Sequence, residues 1–135
     1  MYSNILVPIA LDNEDDRTSQ VLEIAKTLSA DGARITLLHV VEAVPSYAIS
    51  YISADILNVT RKGIETEMAR LASDIGANSV VIDGHSGRSI LDYAEEQESD
   101  LIVIASHRPG MQTLLLGSTA THVVRHANCS VHVLR

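Results

Sequence analysis

Residues 100–135 read DLIVIASHRPGMQTLLLGSTATHVVRHANCSVHVLR. An apolar run, DLIVIAS at 100–106, gives way to a loop carrying His107, Arg108, Pro109 and Gly110, then to Gly117-Ser118-Thr119. Ala120, Val123, Val124 and Ala127 follow at spacings that place them on one face of a helix. A second apolar run, CSVHVLR, closes the chain at 129–135. Neither run alternates cleanly between apolar and polar, which is how a strand covered on both faces reads. The stretch therefore predicts strand, loop, helix and strand, the unit of a parallel sheet.

Working toward the N-terminus, three more runs share this character: NILVPIA at 4–10, RITLLHVV at 34–41 and NSVVID at 78–83. Helical periods separate them. Val21, Ile24, Ala25 and Leu28 form one stripe before Asp31-Gly32. Leu57, Ile64, Met68, Leu71 and Ile75 form a second, with Gly76 positioned to end it. A third opens after Gly87 with Ile90, Leu91 and Ala94. Strand and helix alternate throughout, which predicts a three-layer α/β domain with an open parallel sheet and right-handed crossovers. Residues 42–55, EAVPSYAISYISAD, fit neither period and read as a lid or an interface segment.

The 135 residues suit one domain with a core large enough to fold unaided. Aromatic residues are four Tyr with no Phe or Trp, so the core is aliphatic and nucleic-acid recognition by base stacking is disfavoured. A formal charge of -7 gives no overall attraction for nucleic acid or anionic lipid. A single cysteine, Cys129, suits a reducing compartment, and the N-terminal stretch reads as neither signal peptide nor membrane span. A cytoplasmic protein without membrane insertion is expected.

In an open parallel sheet, ligands bind beyond the carboxyl ends of the strands, where the winding direction reverses. The loops to inspect are Pro8 to Asp12, Val40 to Glu42, Gly84 to Arg88 and Ala105 to Ser118. Gly117-Ser118-Thr119 supplies a close approach to backbone, a hydroxyl cap and a helix N-terminus, the parts of a phosphate site. It also reads as a plain helix cap. His107 and Arg108, at the other end of the loop, add two potential cations. No GxxxxGK[ST], GxGxxG or GxSxG motif occurs, which disfavours P-loop enzymes, conventional NAD enzymes and serine hydrolases. His122 and His126 lie four apart on a helix but lack a third ligand and read as surface histidines. His39 and His132, inside strand runs, read as structural. The acids Asp12, Glu14, Asp15 and Asp16 suit either a divalent ion or the dipole of the first helix.

Taken together, NILVPIA, LLHVVE, GHSGRSILDYAEE and the terminal block 100–135 resemble the universal stress protein family, the last being most similar to its nucleotide-binding F/G subgroup. The resemblance implies a five-stranded sheet in the order 3-2-1-4-5 with ATP between strands one and four. ADP or AMP are the other nucleotides it admits, with Mg2+ accompanying them. It places Pro8, Ile9, Ala10 and Val40 around adenine and ribose, and Ala105, Ser106, His107, Arg108, Gly117, Ser118, Thr119 and Ala120 around the phosphates. The family's Gly-x2-Gly-x9-Gly-Ser/Thr signature is altered here: Ala105 and Arg108 hold its first two glycine positions, and eight residues separate Arg108 from Gly117. Gly110 stands within the loop. Where the family reads Val-Pro-Ile-Asp this chain has Ala10, so Asp12 is the carboxylate placed to meet the metal. The terminal strand, with Val131 and Val133, is implied to pair with a second copy, giving a homodimer able to assemble to a tetramer. The function expected is a dimeric stress-response regulator that binds ATP with little or no turnover. Two alternatives are a slow Mg-dependent ATPase or phosphoryl or nucleotidyl transferase, and a nucleotide-free interaction protein whose partner docks around residues 42–60.

Overall fold

A computed structural model describes residues 1–11, 17–42, 45–106 and 116–135. Its elements run β1 (Tyr2–Pro8), α1 (Arg17–Leu28), β2 (Ser29–Val41), α2 (Ser46–Ile49), α3 (Ala54–Ile75), β3 (Asn78–Asp83), α4 (Ser86–Glu96), β4 (Leu101–Ala105), α5 (Ser118–His126) and β5 (Ser130–Leu134). The strands form one parallel sheet in the order β3-β2-β1-β4-β5, as expected.

In β1, β2 and β4 the unalternating runs are explained by burial on both faces, whereas β5, at the sheet edge, alternates instead, with Ser130 and His132 exposed and Val131 and Val133 half-buried. Ile5, Leu6 and Val7 are consecutive and all fully buried. Ile5 and Val7 face α1 and α3 with Leu37, Leu101 and Val103, against Val21, Ala25, Met68 and Ala72. Leu6 faces the other way with Leu38, Ile102 and Ile104, against Ile90, Ala94, Ala120 and Val123 of α4 and α5. Burial of each such side chain contributes about 1.5–3 kcal/mol, so these two aliphatic layers are the main favourable contribution to the fold.

Four local expectations are corrected. α1 ends at Leu28, three residues before Asp31-Gly32, and the chain enters β2 at Ser29, so Gly32 (φ 75) turns within the strand span instead of closing the helix. α4 begins at Ser86, ahead of Gly87. Val124 is 44% exposed, because the packed face of α5 is the narrower stripe Ala120, Val123 and Ala127. Leu57 stands 38% exposed, since the packed length of α3 begins only near Ile64. Gly76 does end α3, in the left-handed conformation (φ 68) that a glycine adopts without steric cost. Residues 42–55 contain the four-residue α2.

The amino end of the sheet is tied by side chains. Asp100 accepts the Ser3 and Asn4 amides at 2.8 and 3.0 Å, while Asn4 Nδ2 donates to the Gln97 and Glu98 carbonyls at 2.6 and 3.2 Å. These bonds fix β1 against the end of α4 and the start of β4.

Candidate functional site

β1 and β4 are neighbours, and the connections leave them in opposite directions, β1 toward β2 and β3, β4 toward β5. The crevice at their carboxyl ends is the reversal point. Past Pro8 the backbone keeps its pairing for one more residue: the Ile9 amide donates to the Leu38 carbonyl at 2.8 Å. The Ile9 carbonyl is 2.7 Å from His39 Nδ1. A carbonyl oxygen only accepts, so His39 carries a proton on Nδ1 and donates it. His39 is thus structural, and its effect is to orient the exit of β1, with Ile9 buried and Ala10 exposed just beyond.

On the other side of the crevice Ser106 joins three elements. It is buried, at 3% exposure. Its amide donates to the Leu134 carbonyl of β5 at 2.9 Å, and its carbonyl accepts the Gly117 amide at 2.6 Å. The end of β4, the end of β5 and the start of α5 therefore meet at one residue, and the intervening segment leaves and returns at adjacent points.

Gly117 is the N-cap of α5 with φ -62 and ψ 159, and no side chain caps the helix. The expected hydroxyl cap is absent because the cap position falls on the glycine, one residue before Ser118. The first helical bond is from the Thr121 amide to the Gly117 carbonyl at 2.9 Å. The amides of Ser118, Thr119 and Ala120 consequently have no acceptor within the helix, and the positive end of its dipole lies with them. Ser118 is exposed and Thr119 half-buried, whereas the Ala120 methyl is in the core, leaving only its backbone to the crevice side. Three amides at a helix start are a competent anion site.

Of the remaining expected site residues, Val40 packs on the α4 and α5 layer and Ala105 on the opposite one. His107, Arg108 and Asp12, with Gly110, lie outside the described residues. The rings of His122 and His126 stand 4.7 Å apart, and among the described residues no three His, Cys, Asp or Glu side chains gather as a metal site.

One arrangement was not read from the sequence. The Glu42 carboxylate, just past β2, accepts the Ser86 amide at 2.9 Å and the Ser86 hydroxyl at 2.5 Å, capping α4 from a neighbouring strand. The hydroxyl bond foremost, then the amide bond and the field of His85, hold the Glu42 carboxyl below its ordinary value of 4.5. Glu42 and the GHSG turn are separately visible as loop residues; the sequence separation of 44 between Glu42 and Ser86 hides their pairing. Gly84 makes the turn possible: its φ of 151 and the closeness of Ser89 Oγ leave no room for a Cβ.

The two sheet edges differ. On β3, Arg61 of α3 donates to the Val81 carbonyl at 3.2 Å and to Asp83 at 2.8 Å. On β5, Val131 and Val133 are half-buried against the α4 and α5 layer, with His132 exposed between them.

The universal stress protein family model matches residues 1–135. Universal stress protein A homolog 2 of Coxiella burnetii is 37% identical over 142 residues, covering 99% of this chain and 95% of the relative. Universal stress protein G of Escherichia coli O157:H7 is 29% identical over 143 residues, covering both chains fully. Among solved structures, universal stress protein UspA from Lactobacillus plantarum superposes with a TM-score of 0.73 at 26% identity, covering 99% of this chain and 98% of that one. More distant members of the same fold were solved in complex with cAMP (TM-score 0.69, 20% identity), with dAMP (Archaeoglobus fulgidus, 0.63, 20%) and with AMP (Arabidopsis thaliana, 0.59, 21%), each covering at least 98% of this chain. With the sheet order and the whole-length match in agreement, the chain belongs to the universal stress protein family.

Proposed function

We propose that this chain binds an adenine nucleotide in the crevice between β1 and β4 and acts as a nucleotide-dependent regulator, with little or no turnover. The observation that carries the reading is the trio of helix-start amides, Ser118 to Ala120, held beside the crevice by the bond between Gly117 and Ser106. The complexes of related structures with cAMP, dAMP and AMP support an adenine nucleotide as the ligand class. ATP is the preferred candidate, with ADP and AMP as the shorter ligands. Pro8, Ile9, Ala10 and Val40 border adenine and ribose, and Ala105, Ser106 and Gly117 to Ala120 border the phosphates. His107 and Arg108 add positive charge by their position in the sequence. Asp12 is the carboxylate for Mg2+, whose contribution would be to neutralise phosphate charge.

A homodimer through β5 completes the reading. An outer strand is a template for pairing unless something covers it. Arg61 occupies a carbonyl of β3 at one edge, and Val131 and Val133 furnish a pairing-competent run at the other. Among the described residues no helix is long and apolar enough to cross a membrane, and a cytoplasmic regulator is the setting we propose.

The test is to denature freshly purified protein, without added nucleotide, and identify the released small molecules by mass spectrometry. Near-stoichiometric ATP, ADP or AMP is the expected result. An empty protein whose melting temperature is also unmoved by millimolar Mg-ATP or AMP would contradict it, because a ligand at a hundred times its Kd stabilises by about 2.7 kcal/mol.

A further inference from the structure

At the amino end of the sheet, remote from the crevice, a cavity of about 300 Å3 opens between the last turns of α4 and α5 and the starts of β4 and β5. Its apolar wall is Leu91, Ala94, Ile102 and Ala127. Its rim carries Glu95 and Glu98, with His126 and Cys129 across from them on the α5 side. Neither carboxylate is paired by any described cation, so both charges remain available at the mouth. We infer that this cavity is a binding site for a compact organic cation, a primary ammonium group carried on an apolar body.

Three features of the cavity agree on that ligand. Its volume falls at the small end of the range for ligand sites, enough for a single ring or short branched chain. Its apolar wall offers burial to such a body. Its mouth is negative through the two exposed rim carboxylates, Glu95 and Glu98. Burial and then the Asp100 carboxylate push the Cys129 thiol up from its ordinary value. An anionic ligand would meet repulsion, and a neutral one would leave the rim charges unused.

Cys129 is the chain's one cysteine and lines the cavity, so its labelling reads the charge and occupancy of the site. Two reagents, 2-aminoethyl and 2-sulfonatoethyl methanethiosulfonate, form the same kind of mixed disulfide as the thiolate displaces methanesulfinate, and differ in the sign of the charge they carry. The ratio of cationic to anionic labelling rates, divided by the same ratio in urea-unfolded protein, should be about fivefold or more. It should fall toward one in the Glu95→Gln/Glu98→Gln double variant, in which both changed side chains are exposed and whose unchanged far-ultraviolet circular dichroism should verify folding. Phenethylammonium at millimolar concentration should slow cationic labelling of the wild type. A normalised ratio near one, a ratio that survives both substitutions, or labelling unaffected by phenethylammonium would overturn the assignment.

Discussion

The Gly117 amide donates to the Ser106 carbonyl at 2.6 Å, so that the residue just past β4 and the residue opening α5 are in contact. Ser106 is itself buried and bonded to β5 through Leu134. The helix start is therefore positioned by the sheet.

Gly117→Val tests that geometry. The native φ of -62 and ψ of 159 are open to any residue, so valine folds there, losing only a favourable N-cap at about 1 kcal/mol. That loss corresponds to a melting shift of no more than about 5 °C. In the proposed site the branched side chain would stand where phosphate approaches backbone, and nucleotide affinity should drop at least about tenfold, equivalent to about 1.4 kcal/mol. Calorimetric titration paired with thermal unfolding checks both halves, and unchanged affinity would remove the helix start from the site.

Glu42 and Ser86 give a pH-dependent prediction. Because the folded carboxyl titrates below its ordinary value of 4.5, its charge stabilises the native state at pH values above that point. The contribution disappears as pH falls through the folded value. Glu42→Gln should cost about 0.5–1 kcal/mol at neutral pH, the range for a charged group near an exposed helix start. Urea unfolding of the two proteins should converge as the pH falls below the ordinary carboxyl value and the wild-type group protonates. A gap that persists in acid would mean the charge is not what matters.

Gly87 is where α4 and α5 approach. A Cβ there would lie 2.8 Å from His122 Cδ2 and 3.1 Å from its Cβ. Gly87→Ala should destabilise by about 1–2 kcal/mol through overpacking, despite alanine's better helix propensity. Adding His122→Ala should cancel that penalty, so that the same substitution becomes neutral or stabilising. Equal costs in both backgrounds would show that the helices move apart freely.

His39 holds the exit of β1 through its bond to the Ile9 carbonyl. His39→Leu leaves that carbonyl without this donor and should cost about 1–3 kcal/mol. If Ile9 and Ala10 border the base, the variant should also bind nucleotide more weakly at a temperature where it is fully folded. Unaltered binding would confine His39 to stability.

How far the sequence went can be judged from particular residues. Ile5, Leu6 and Val7 showed no alternation because each is buried, on alternate faces, and that local signal was enough to place the strands and infer the sheet. Gly76 ended α3 where a left-handed glycine was expected. Val124 misled because four apolar residues at helical spacing do not reveal how wide the covered face is. The Glu42 to Ser86, His39 to Ile9 and Ser106 to Gly117 contacts join residues that only the folded sheet brings together. Gly117-Ser118-Thr119 marked the start of α5 in the sequence, but which amide was already committed to Ser106 was visible only in three dimensions.

The central claim is that the start of α5 binds the phosphates of an adenine nucleotide. Its most direct test is isothermal titration of nucleotide-stripped protein with ATP in the presence of Mg2+, and separately with AMP. The account predicts saturable binding of one nucleotide per chain, lost in Gly117→Val while the fold persists. Absence of saturable binding of either nucleotide at millimolar concentration, with the protein folded, would contradict it.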